Sequence, residues 1–140
     1  MKKHLLIVDD EKDIIDILTA AFKAEDTIIG TAGNGEEAVT YIKNNHVDIV
    51  IADIMMPKLN GIQMFYEIRK LDPFIQIIMI TGYPSIQRIV EMLEAGACDF
   101  VIKPFNIEKL KVIVQEAFTR IERWKSLRGE WLELMKHKKI

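Results

Sequence analysis

Val47-Asp48-Ile49-Val50-Ile51-Ala52 is a near-continuous, β-branched apolar run that stops at Asp53. A strand with one wet face alternates apolar and polar residues, whereas a strand covered by helices on both faces is apolar throughout. The run therefore predicts a buried strand with a carboxylate at its carboxyl end. Similar runs lie on either side: Leu5-Leu6-Ile7-Val8, Thr27-Ile28-Ile29, Ile75-Gln76-Ile77-Ile78-Met79-Ile80 and Asp99-Phe100-Val101-Ile102. Between them, Ile14, Ile15, Ile17, Leu18, Ala21 and Phe22 recur at helix spacing, as do Ala38, Val39, Tyr41 and Ile42. Ile62, Phe65, Ile68 and Leu71 mark a third helix ended by Pro73, and Ile86, Ile89, Val90, Met92 and Leu93 a fourth closed by Gly96. A fifth begins near Asn106, an N-cap residue. Strands alternating with helices predict one doubly wound α/β domain on a five-stranded parallel sheet.

Composition narrows the class. The 140 residues suit one domain, and 49% apolar with 29% charged describes a globular chain with a core. No apolar run approaches the roughly 18–20 residues of a membrane span. Only four apolar residues follow Met1-Lys2-Lys3-His4 before Asp9, too few for a secretory signal, so a cytoplasmic location is expected. The single cysteine, Cys98, excludes an internal disulfide framework and a multi-cysteine zinc site. Net charge is −2, but residues 1–120 carry −5 and residues 121–140 carry +3. The acidic bulk argues against direct nucleic-acid binding.

The polar residues gather at the strand ends, where ligands bind in open α/β sheets. The first strand runs into Asp9-Asp10-Glu11, the third into Asp53, the fourth into Thr81-Gly82 and the fifth into Lys103-Pro104. If the first and third strands are neighbours, Asp9, Asp10 and Asp53 converge. Three close carboxylates repel and need a cation. Mg²⁺ suits, since it takes one or two carboxylates and keeps several waters. No glycine-rich loop follows the first strand, so a backbone cradle for nucleotide phosphates is absent.

Each piece has a plainer reading. Asp9-Asp10-Glu11 could cap a helix, Asp53 could be a turn residue, Thr81 could cap the fourth helix and Lys103 could be solvated. Their conjunction on one rim is what points to a site.

Five segments, in order, carry a family pattern: Leu6-Ile7-Val8-Asp9-Asp10-Glu11, Asp53-Ile54-Met55-Met56-Pro57-Lys58-Leu59-Asn60-Gly61, Ile80-Thr81-Gly82, Ala95-Gly96-Ala97 and Asp99-Phe100-Val101-Ile102-Lys103-Pro104-Phe105. From about residue 3 to 120 the chain resembles the receiver domain of two-component response regulators. The resemblance implies a flavodoxin-like sheet in the order 2-1-3-4-5. It implies that Asp53 accepts a phosphoryl group from a sensor histidine kinase or phosphotransfer protein. Asp10, Asp53 and the Met55 backbone carbonyl would hold Mg²⁺, with Asp9 acting through a bound water. Lys103 and Thr81 would contact phosphoryl oxygens, and the Lys103–Pro104 bond would be cis. Thr81 and Phe100 would act as the switch, remodelling the face of the fourth helix, fifth strand and fifth helix. Met55 and Tyr83, each two residues past a site residue, would slow loss of the phosphoryl group. Gly61, after a turn-rich segment, is expected to supply a backbone conformation closed to other residues.

Other classes fit less well. Haloacid-dehalogenase-type phosphatases also pair an aspartyl nucleophile with Mg²⁺, but they need a second Asp two residues on, where this chain has Met55. A degenerate receiver that only binds has no support, because Asp9, Asp10, Asp53, Thr81 and Lys103 are all present. The chain is thus expected to be a signalling receiver (residues 1–120), not an enzyme beyond its own phosphorylation and slow dephosphorylation. Residues 121–140 are expected to form a helical extension or linker. Leu110, Val114, Ala117, Ile121, Trp124, Arg128, Trp131 and Met135 alternate at spacings of four and three, a heptad seam with one arginine in it. A parallel helical homodimer, or docking on a partner, is expected from it; Gly129 weakens the helix by about 1 kcal/mol relative to Ala.

Overall fold

A computed structural model describes residues 2–56, 59–82 and 85–137. Strands and helices alternate: β1 (Lys3–Val8), α1 (Lys12–Phe22), β2 (Thr27–Ala32), α2 (Gly35–Asn44), β3 (Ile49–Asp53), α3 (Gly61–Leu71), β4 (Gln76–Thr81), α4 (Ile86–Glu94), β5 (Asp99–Ile102) and α5 (Ile107–His137). All four strand pairings are parallel, in the order β2-β1-β3-β4-β5.

Strand side chains alternate between two cores, as the pleat requires. Leu6, Val8, Val50, Ala52, Ile77 and Met79 point to one face, where Met64, Phe65 and Ile68 of α3 and Met92 of α4 cover them. Leu5, Ile7, Ile49, Ile51, Ile78 and Ile80 point to the other, against Leu18 of α1 and Leu110, Val114, Ala117, Phe118 and Ile121 of α5. Burial on both faces is why these strands read as unbroken apolar runs. The run at 47–52 enters the sheet only at Ile49. Asp48 accepts from the His4 amide at 3.0 Å and pairs with the His46 ring at 2.8 Å, so it closes the amino end of the sheet.

Helix ends follow local chemistry. The Asn60 side chain accepts from the Gln63 amide and Gln63 reciprocates, a capping box opening α3. Asn106 accepts from the Lys109 amide at 3.2 Å, at the head of α5. Gly96 sits at φ 108° after α4, the left-handed position that favours glycine.

Gly61 departs from the expectation. It begins α3 in ordinary helical backbone, and Gly96 is the positive-φ glycine among the described residues. The need at 61 is space: a Cβ there would lie 2.5 Å from the Asp53 carbonyl oxygen and 2.6 Å from Ile54 Cα. α3 is thereby pressed against the end of β3.

Helix α5 has 31 residues, about 46 Å of helix, and crosses residue 120 without a break. Ile121 is its last buried position. Arg120 ties it to the amino ends of β4 and β5, donating to Gln76 Oε1 at 3.3 Å and to Cys98 Sγ at 2.7 Å. Beyond that tie the helix leaves the domain at the end opposite Asp53.

Candidate functional site

The parallel register brings the carboxyl ends of four strands to one rim. Val8 pairs with Ala52, Asp53 with Ile80, and Thr81 with Ile102. The next residues complete the rim: the Asp9 amide donates to Ala32 O, and the Lys103 amide donates to Thr81 O at 2.7 Å. Asp9, Asp53 and Thr81 are 2%, 5% and 1% exposed, while Asp10 faces solvent.

Asp9, Asp10 and Asp53 each place a carboxylate oxygen within 4.8 Å of the other two. The Lys103 ammonium lies 3.3 Å from Asp9 Oδ2 and 3.3 Å from Asp53 Oδ2. Asp9 Oδ1 accepts from the Glu11 amide at 2.9 Å, and Asp53 Oδ1 from the Met55 amide at 3.2 Å. Burial lifts Asp9 above the ordinary carboxylate range; the Glu11 amide opposes this, Asp53's charge adds to it and Lys103 partly offsets it. Burial alone would lower the Lys103 pKa, but Asp53 and Asp9 carry it above its ordinary value. Among the described residues the cluster is therefore anionic, with Lys103 as its paired cation. Its all-oxygen carboxylate set suits a hard divalent ion, which would relieve the charge that Lys103 leaves unmatched.

The predicted residues fall as follows. Asp9, Asp10, Asp53 and Lys103 form one cluster, and Thr81 ends the strand beside it. Met55 is half exposed at the mouth. Phe100 is half-buried against the core on the α2–α4 side. Tyr83 lies outside the described residues. The Lys103–Pro104 peptide is cis. Two features carry no sequence signal: the Met55 amide bound to the Asp53 carboxylate, and Arg88 of α4, whose Nη1 lies 3.9 Å from Met55 Sδ. The first is a local turn contact two residues along the chain, and the second joins residues 33 apart in sequence.

Residues 5–115 match the family described as the response regulator receiver domain. The chain belongs to that family of two-component signalling domains. It is 43% identical over 119 residues to the probable transcriptional regulator ycf27 of Cyanidium caldarium, covering 85% of this chain and 47% of that protein. It is 38% identical over 114 residues to the regulatory protein AtoC of Escherichia coli, covering 81% of this chain and 25% of that protein. The chain thus spans half or less of these relatives. Among solved structures, a CheY-like receiver domain protein from Methanospirillum hungatei aligns at TM-score 0.84 and 30% identity, over 88% of this chain and 98% of that one. The CheX-CheY-BeF3-Mg²⁺ complex from Borrelia burgdorferi aligns at 0.78 and 37%, over 83% and 89%.

Proposed function

We propose that the chain is the phospho-accepting receiver of a two-component phosphorelay, with Asp53 as acceptor. The observation that carries this is the buried Asp53 carboxylate, held by the Met55 amide and by Lys103 beside two further aspartates. Asp53 attacks the phosphorus of a phosphohistidine on a sensor histidine kinase or phosphotransfer protein. The P–N bond breaks, the electron pair leaves with the imidazole, and an aspartyl phosphate forms. Asp10, Asp53 and the Met55 carbonyl, with Asp9 beside them, would hold Mg²⁺, which would supply neutralising charge. Lys103 turns from the carboxylates to a phosphoryl oxygen, and the Thr81 hydroxyl takes another. The work is positioning and electrostatics.

Thr81 moving toward the phosphoryl group vacates space for Phe100 to turn inward. Phe100 carries no hydroxyl, so its burial strands no polar group. The surface so remodelled is apolar and exposed: Ile86, Val90 and Leu93 on α4, and Ile102 on β5. The chain is a switch with slow self-dephosphorylation, not an enzyme acting on other substrates, and it self-associates through the extension of α5. Incubation with phosphoramidate and Mg²⁺ tests the chemistry. It should yield one hydroxylamine-labile phosphate per chain, and none with Asp53→Asn; a label retained in Asp53→Asn excludes this acceptor.

A further inference from the structure

Arg88 lies in the first turn of α4, and its side chain is exposed. A cation is poorly placed there, because the helix dipole already puts partial positive charge at that end. The same turn holds no acid to offset it, and Ser85 gives the helix no side-chain cap. Among the described residues Arg88 pairs with no carboxylate, not even Glu91 one helical turn on. It touches Met55 instead: Nη1 lies 3.9 Å from Sδ, 33 residues away in sequence. A thioether is a weak acceptor, so the guanidinium keeps most of its N–H donors for another ligand. A local rule broken without local compensation points to a functional use.

Met55 leads to the acceptor. It is half exposed, and its amide donates to Asp53 Oδ1 at 3.2 Å. A single methionine thus links the guanidinium to the Asp53 carboxylate. Charge at the acceptor leaves room for a further cation. Asp9, Asp10 and Asp53 bring three negative charges against one positive charge on Lys103. A divalent ion held by these aspartates would bring the balance only to zero. Lys103 is itself committed, 3.3 Å from both Asp9 and Asp53. A dianionic phosphoryl donor therefore finds no surplus positive charge in the cluster itself, and Arg88 adds one beside it.

We propose that Arg88 captures the phosphoryl group of small dianionic donors, the acyl phosphates, before Asp53 attacks. This rests on Asp53 being the acceptor, as read above. The guanidinium leaves the Met55 sulfur for two phosphoryl oxygens, a bidentate pairing that suits its planar fork. Asp53 then attacks phosphorus, the P–O bond to the acyl group breaks, and the electron pair leaves with the carboxylate. Arg88 gives up no proton and forms no covalent bond; it raises the rate of productive encounter. Its effect follows donor charge. Acetyl phosphate is a dianion at neutral pH, whereas phosphoramidate is zwitterionic and carries a single net negative charge.

Initial rates of phosphorylation of the 140-residue chain with Mg²⁺, read by intact mass, test this. Low ionic strength is used, because the Debye length is about 30 Å at 0.01 M and exposed charges act across it. Arg88→Gln should lower the second-order rate constant for acetyl phosphate by about threefold or more, and that for phosphoramidate much less. Arg88→Lys, which keeps the charge, should recover at least half of the loss, and added salt should shrink it. An equal loss with both donors, or one that Arg88→Lys does not recover, marks a structural effect and overturns the proposal. Equal rates for wild type and Arg88→Gln overturn it as well, with Asp53 still standing as acceptor. A wild type phosphorylated by neither donor overturns this proposal and the acceptor reading together.

Discussion

Lys103 and Asp53, fifty residues apart in sequence, meet at 3.3 Å at the carboxyl edge of the sheet, and the same ammonium reaches Asp9 at 3.3 Å. One cation thus holds together the ends of β1, β3 and β5. This accounts for two buried carboxylates facing each other in a folded domain.

Removing that cation should therefore cost stability. In chelator-containing buffer, Lys103→Met is expected to lower the unfolding free energy by about 1.5–3 kcal/mol, the range for hydrogen bonds to charged groups. Adding Asp53→Asn should recover part of the loss, because one of the two opposed charges is gone. Urea denaturation of the three proteins checks this; a Lys103→Met protein as stable as wild type would show that the bridge carries no weight.

Mg²⁺ should stabilise the folded chain by binding where the carboxylates converge. At about 100 times its dissociation constant the gain is about 2.7 kcal/mol. Asp10→Asn should lose most of the thermal shift, since Asp10 is the solvent-facing member of the cluster. An undiminished shift in that variant would place the ion elsewhere.

Gly61→Ala sets a methyl group against two backbone atoms, the Asp53 carbonyl and Ile54 Cα, neither of which can move alone. Destabilisation of about 1–3 kcal/mol is expected, in the range for overpacking. Equilibrium unfolding measures it, and unchanged stability would mean that α3 and β3 part easily.

Met55, whose amide binds the Asp53 carboxylate, stands half exposed, with Arg88 against its sulfur. Replacing it with asparagine should open the path of the attacking water and speed phosphate loss several-fold. The decay of phosphorylated protein on a phosphate-affinity gel is the readout, and equal half-lives would remove Met55 from the tuning role.

His4 gives a pH dependence away from the site. Burial lowers its pKa, the neighbouring His46 adds to the shift, and Asp48 opposes it. The unfolded chain therefore takes up this proton first as pH falls below about 6.5, so stability is lost from there down through the lower folded value. Wild type should lose more stability between pH 7 and pH 5 than His4→Gln, measured by urea unfolding. Parallel losses would show that His4 titrates alike in both states.

The fold was legible because nearly every strand is covered on both faces, which writes it as a β-branched run, and because Asp53 and Thr81 end theirs. The rim residues were legible for the same reason: polar groups at the ends of apolar runs are hard to miss. Gly61 was misread because spacing reveals turns but not close approaches between distant backbones; its neighbour is Asp53 O, set by tertiary packing. Arg88 was invisible because its contact with Met55 crosses two loops. The heptad seam of α5 was legible as a helical pattern. Only the structure shows which stretch of the seam the sheet consumes.

The central claim is that Asp53 takes up a phosphoryl group. Intact-mass measurement after incubation with acetyl phosphate and Mg²⁺ tests it most directly. A mass increase of one phosphoryl group in wild type, absent from Asp53→Asn, is the predicted result. No increase in wild type, or the same increase in Asp53→Asn, would contradict it.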